Sequence, residues 1–223
     1  MNYDTSFVSE IGGRKVNEDT YGYQIAPSGG CWVVADGLGG HRGGQPASFL
    51  AVKTVMESLA LTTDNSPNTL HRSLETAQNA IIAGQQSDHE LYAMRTTIVL
   101  LVIQNDQARW AHLGDSRLYA FHKNRVVFQT KDHSVPQVLV SAGDIRSENI
   151  RGHEDRNRLL RSLGNQDDFR PVILRILSWY ALVMHFCCVR TDSGSIYWKT
   201  KWRNCCSIQI QLHSGFSKWK SCY

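Results

Sequence analysis

Long apolar runs are missing from this chain. No stretch approaches the about 18 consecutive apolar residues that a membrane-crossing helix needs. With 42% of its 223 residues hydrophobic and 20% charged, the composition is that of an ordinary globular domain. The segment 1–10 carries Asp4 and Glu10 and lacks the apolar core of a secretory leader, so a cytoplasmic location without membrane contact is expected. Cysteine is scarce until late: Cys31 stands alone, and Cys187, Cys188, Cys205, Cys206 and Cys222 crowd the end. The adjacent pairs lack the spacer of about two to four residues found in zinc knuckles. A reducing compartment argues against a disulfide framework. Acid is scarce where cysteine is plentiful. Residues 175–223 hold seven Lys and Arg against Asp192 alone, a net of +6, whereas residues 1–174 hold 17 basic and 19 acidic residues, a net of −2. No internal repeat is present, and the glycines at 37, 39 and 40 are followed by no GKS or GKT, which excludes a nucleotide cradle there.

What is present reads as alternating short elements. Strands are expected over 5–11, 21–25 and 31–35, the last ending at Asp36 and followed by a glycine-rich loop from Gly37 to His41. Ala47, Leu50, Ala51, Thr54, Val55, Ser58 and Leu59 recur at helical spacing. Ser66 and Pro67 start a second helix that turns Leu70, Leu74, Ala77 and Ile81 inward. Residues 97–103 form a continuous apolar run, expected as a strand buried on both faces. Further strands are expected over 108–113, 118–121 and 126–129, with turns at Asn105-Asp106 and Lys123-Asn124. Helices over 136–142 and 156–163 close at Gly143 and Gly164, and a strand begins at 172–174. Strands, two long helices, more strands and short helices imply an α+β layered fold with antiparallel sheets.

Five local patterns carry the chemistry: RKVNED at 14–19, VVADG at 33–37, RTT at 95–97, GDSR at 114–117 and KDHS at 131–134. Acids at the ends of buried strands gather at one rim of a sheet, where their mutual repulsion raises their pKa values. Hard divalent cations remove that penalty through oxygen ligands, and a pair of them can activate a water and hold a phosphate for in-line attack. An arginine nearby supplies planar, bidentate phosphate contacts.

In this order, GGRKVNED, VVADGLGGH, TTI, GDSRLY and TKDHSVPQ resemble the PP2C (PPM) protein phosphatases, and HEDRNRLLRSLG resembles their bacterial branch. Within that branch the opening is similar to the phosphatases that accompany type VI secretion clusters. The resemblance spans 5–174, taken as a phosphatase domain over 1–174. It implies a β-sandwich of two antiparallel sheets flanked by helices (α-β-β-α), with C-terminal strands incomplete. It also implies hydrolysis of phosphoserine or phosphothreonine in proteins, in opposition to a serine/threonine kinase, with two or three Mn²⁺ or Mg²⁺ ions and no phosphoenzyme. By the same resemblance Asp36 bridges both catalytic metals, Glu18 and the Gly37 carbonyl bind the second, and Asp19 orients a metal-bound water. Arg14 holds the substrate phosphate and Asp115 contributes to a third, more labile ion. Asp132 and His133 are expected to make a structural turn, Arg117 to pair within its own turn, His41 to hydrogen-bond its loop, and Cys31 to sit in the core.

The end of the chain departs from this pattern. The family's two further aspartates, in SDG and DN motifs, are missing, and 175–223 holds four Trp and five Cys with little periodicity. The expected cause is a reading-frame shift between Leu174 and Arg175. A permitted back-translation with one base restored allows PGDAFLLCSDGFWEY, which returns the CSDG strand near Arg190 and Thr191. The Asp192 register, TDSG, is not SDG, and no ligand role is carried onto it. Residues 175–223 are therefore expected to be an aberrant tail, the sheet to lose an interior strand, and activity to be impaired. Two alternatives follow: a non-catalytic phosphopeptide-binding protein acting through Arg14, and, more weakly, nucleic-acid contact through the basic tail.

Overall fold

The computed structural model describes residues 2–9, 11, 15–38, 43–60, 62, 64–105, 107–122, 125–176, 183–187 and 207–213. Arg14, His41, Asp106, Lys123, Asn124, Arg190, Thr191 and Asp192 lie outside the described residues. The chain runs β1 (Asn2–Val8), β2 (Asp19–Ala26), β3 (Gly29–Leu38), α1 (Gly44–Ala60), α2 (Pro67–Ser87), β4 (Arg95–Thr96), β5 (Ile98–Gln104), β6 (Gln107–Leu113), β7 (Arg117–His122), β8 (Arg125–Gln129), α3 (Val135–Ala142), β9 (Val172–Ile176), β10 (Val183–Cys187) and β11 (Ser207–His213). The strands form two antiparallel sheets. One has the order β2-β3-β5-β6-β9, with β4 on β3, and the other has the order β1-β11-β10-β7-β8.

The pleat of β3 and β5 explains the layering. Successive side chains of a strand point to opposite faces. Cys31, Val33 and Ala35 of β3, with Ile98, Leu100 and Val102 of β5, therefore pack with α1 and α2. Trp32 and Val34, with Val99, Leu101 and Ile103, face the other way and meet Trp110, Leu118 and Ala120 between the sheets. Both strands are buried on both faces, as the apolar run over 97–103 predicts. The helices cover one outer face. A helical layer over the outer face of the five-stranded sheet is not among the described residues, and α3 packs on a 3-10 segment at Ser147–Gly152. Helix α2 begins as its sequence predicts: Ser66 accepts from the Thr69 amide and Pro67 occupies the first turn. Gly143, at φ +87°, closes α3 in the left-handed conformation.

Three expectations are corrected. Strand β3 does not end at Asp36: Gly37 and Leu38 pair with Thr96 and Arg95, so the backbone stays extended through the first residues of the glycine-rich stretch. Residues 156–163 are not a helix. Leu159 bridges Ser134 and Leu163 bridges Thr96, and these pairings draw the segment out where its leucine spacing imitates a helical stripe. The sheet does not lack its interior members, because β11 and β10 lie between β1 and β7.

Candidate functional site

Two acids meet at the rim of the β2-β3 hairpin. Asp19 and Asp36 are direct cross-strand partners, so their side chains leave the same face of the pair. The alternation that sends Trp32 and Val34 between the sheets sends Asp36 the same way, and it is only 6% exposed. The backbone around Asp36 is held by the two threonines singled out in the sequence. The Thr97 amide donates to the Asp36 carbonyl at 2.9 Å, the Thr96 hydroxyl donates to the same oxygen at 2.9 Å, and the Asp36 amide donates to Thr97 Oγ1 at 3.2 Å.

Glu18 precedes the pair. Its carbonyl accepts from the Gly37 amide at 3.1 Å and from the Ser48 hydroxyl of α1 at 2.6 Å. Its carboxylate lies over the first residue of α1, where a Cβ on Gly44 would fall 2.5 Å from Glu18 Oε1. Negative charge is favourable there, at the positive end of the helix dipole. Gly37 is equally confined: a Cβ would meet the Gly44 carbonyl oxygen at 2.2 Å and the Glu18 carbonyl oxygen at 2.7 Å. Only glycine lets strand, helix start and Glu18 approach this closely.

Asp115 stands on a separate turn after β6, tied to Asp36 by hydroxyls. Ser116 Oγ lies 2.5 Å from Thr97 Oγ1, and that oxygen accepts the Asp36 amide. Loss of hydration pushes the Asp115 carboxyl up to about 6, and the Asp132 carboxylate adds to the effect. Asp132 is itself held by Arg117, whose Nε and Nη2 donate to its two oxygens at 2.6 and 2.5 Å. The Arg117 partner thus lies 15 residues on and not in its own turn, because β7 places the guanidinium against the 131–134 segment. The rings of His112 and His133 stack beside this turn, with centroids 4.8 Å apart and planes 7° from parallel. Desolvation, with His112 next to it, pushes His133 down to about 4.

The structure thus pairs Asp19 with Asp36, sets Glu18 and Gly37 against them, and links the turn that carries Asp115 to the Asp36 backbone through the Ser116 and Thr97 hydroxyls. Arg14 belongs to the undescribed residues. In kind, the donors fit a hard divalent cation, since all are oxygen. In number they fall short: among the described residues no group of three or more His, Cys, Asp or Glu is arranged to hold a metal ion. Sequence reasoning missed Ser48, which pins Glu18, and the pairing of Ser116 with Thr97. A hydroxyl on the inward stripe of α1, flanked by Ala47 and Ala51, is the one signal that marked Ser48.

A sequence profile described as Protein phosphatase 2C matches residues 8–171. The serine/threonine phosphatase stp of Listeria welshimeri is 32% identical over 157 residues, covering 68% of this chain and 62% of that protein. The chain therefore spans less than two thirds of that relative's length. Among solved structures, the Streptococcus agalactiae serine/threonine phosphatase superposes with a TM-score of 0.81 at 24% identity, covering 95% of this chain and 100% of that one. The catalytic domain of a serine/threonine phosphatase, PstP, in complex with two manganese ions has a TM-score of 0.72 at 23% identity, over 83% of this chain and 77% of that one. PppA of Pseudomonas aeruginosa, described as a key regulatory component of its type VI secretion system, has a TM-score of 0.65 at 27% identity, over 84% and 77%.

Proposed function

The chain belongs to the protein phosphatase 2C family, and on that premise we propose that it is built to hydrolyse phosphoserine and phosphothreonine in proteins, opposing a serine/threonine kinase in the cytoplasm. One observation carries the assignment to this rim: Asp19 faces Asp36 across the hairpin, with Glu18 and Gly37 locked together beside them. Mn²⁺ or Mg²⁺, when bound, supplies a water activated as nucleophile and neutralises phosphate charge. Asp36, Glu18 and the Gly37 carbonyl are the groups that would hold the ions, with Asp115 at a further one. Asp19 would orient a water held by those ions, and Arg14 would hold the substrate phosphate. Thr96 and Thr97 keep Asp36 in place by occupying its backbone, and Ser48 does the same for Glu18.

The family profile stops at residue 171, and the SDG and DN aspartates are missing from the 49 residues that follow Leu174. We hold that 175–223 is an out-of-frame tail and that turnover by this chain is impaired. The opening of the sequence and the likeness to PppA support a role beside a type VI secretion system. The missing aspartates also favour a second reading, a protein that holds phosphopeptides through Arg14 without turnover. Phosphopeptide binding that survives Arg14→Ala unchanged removes that second reading.

The deciding experiment is Mn²⁺-dependent hydrolysis of a phosphothreonine peptide by the 223-residue chain and by Asp36→Asn. Activity in the parent that falls at least about 100-fold in the variant supports catalysis at this rim. Equal activity in both removes Asp36 from the mechanism. Silence in both, with activity restored in the frame-corrected chain, supports the tail reading.

A further inference from the structure

His133 belongs to no helix or strand, yet it is held on three sides. Its ring stacks on His112 of β6. Its backbone amide donates to the Gly114 carbonyl at 2.9 Å, and its own carbonyl accepts from the Leu160 amide at 2.8 Å. In return, the Gly114 amide donates to His133 Nδ1 at 3.1 Å. Residues 114 and 133 thus exchange two hydrogen bonds, one of them to a side chain.

This exchange matters because of where Gly114 stands. Its φ is +109°, and a Cβ there would fall 2.6 Å from Thr97 Cγ2, so position 114 itself tolerates no side chain. The next residue is Asp115, and the turn's own side-chain anchor is Ser116, one residue beyond it. On the Gly114 side the turn is held from outside, with imidazole Nδ1 as the acceptor of the Gly114 amide. The bond also fixes the ring: with Nδ1 accepting, the proton sits on Nε2 and the ring is neutral.

His112 keeps the acceptor in register. Its Nε2 lies 3.0 Å from the Lys131 carbonyl oxygen, which can only accept, so His112 carries its proton there. Its Nδ1 is buried and has no hydrogen-bond partner among the described residues. A charged His112 would drive a second N–H into that space. The charged groups that bear on the rings are Arg161 and Asp168 for His133, and Asp132 and Arg161 for His112.

We propose that His133 is a positioning residue: its neutral ring, stacked on His112, holds the Gly114 turn and so sets where the Asp115 carboxylate stands. The proposal rests on the reading of Asp115 as a working carboxylate of the site, and its test separates the two.

Three variants of the full chain decide it: His133→Phe, which keeps the stack and removes the acceptor; His133→Asn, which places an amide oxygen near the position of Nδ1; and Asp115→Asn as reference. Two quantities are read: amide hydrogen exchange at Gly114 and Asp115, and the Mn²⁺ concentration that half-saturates phosphothreonine-peptide hydrolysis. The expected result is a loss of protection at Gly114 of roughly tenfold in His133→Phe, with half-saturation moved in the same direction as in Asp115→Asn. His133→Asn is expected to restore both toward the parent. Parent-like protection at Gly114 in His133→Phe overturns the proposal, as does failure of His133→Asn to improve on it. An unchanged Mn²⁺ response in Asp115→Asn would instead sink the reading of Asp115, while the exchange data still report on His133. Should His133→Phe not fold, ring-nitrogen NMR of the unaltered protein at pH 7.5 decides: a protonated Nδ1 on His133 overturns the proposal, and an unprotonated, hydrogen-bonded one upholds it.

Discussion

Single residues at this rim are constrained in ways that their type alone does not disclose. Gly114 combines a positive φ with contact against Thr97, so alanine there meets both backbone strain and a steric clash. Gly114→Ala is expected to lower stability by about 1–3 kcal/mol, read as a shift in the urea midpoint. Asp115 shows the opposite balance. Its carboxyl sits where hydration is poor and Asp132 is near, which makes its charge unfavourable in the metal-free protein. Asp115→Asn is therefore expected to raise the melting temperature at pH 7.5 without added metal while lowering Mn²⁺-dependent turnover. A lower melting temperature would show that the carboxylate is satisfied in some other way. Asp36 and Asp115 were legible in the sequence because an apolar strand run that breaks at Asp leaves an obvious mark. Glu18 and Asp19 follow the mostly polar RKVN and stood out only as paired acids behind a basic residue. Ser48 and Ser116 were not legible. A hydroxyl that pins a backbone carbonyl or a neighbouring hydroxyl disturbs no periodicity and looks like any small residue.

At the scale of elements, the stripe of α2 and its cap give direct measures of what holds the helical layer. Leu70, Leu74 and Ile81 are fully buried against the sheet. Leu74→Ala is expected to cost about 2–5 kcal/mol, whereas Ser66→Ala, which removes only the cap to Thr69, is expected to cost about 1 kcal/mol. Chemical denaturation of the two variants beside the parent checks both the values and their order. Strands β3 and β5 were legible because strands covered on both faces become continuous apolar runs. The segment 156–163 misled because Leu159, Leu160 and Leu163 stand at helical intervals. Two isolated bridges decide its path, and they depend on Ser134 and Thr96, far away in sequence. The continuation of β3 through Gly37 and Leu38 was hidden for the same reason, since its partner, β4, lies near residue 95.

For the molecule as a whole, the two stacked histidines couple folding to pH. Both are held below their ordinary value of 6.5, His112 by burial and His133, to about 4, by burial and His112. The unfolded chain therefore takes up these protons first. The stability that the neutral pair contributes is complete above pH 6.5 and is lost as pH falls toward about 4. Asp115 works the other way. Held up to about 6 from 3.8, it adds stability below about pH 4 that is lost as pH rises through 6. The urea midpoint of the parent is expected to fall from pH 6.5 to pH 4.5 by more than that of His133→Asn, in which one of the two histidine contributions is gone. Equal slopes would show that the His133 ring titrates alike in the folded and unfolded chains.

Strand β9 is an edge strand, and it crosses the point where the composition of the chain changes: Leu174 pairs with Trp110 and Arg175 with Arg109 without interruption. A ladder is made of amides and carbonyls, which every codon but proline's supplies alike. The rim of this sandwich therefore selects for extension and hardly for spelling. A gene that lost its frame here would still deliver a segment the sheet can annex, and the damage would fall on chemistry before it fell on shape.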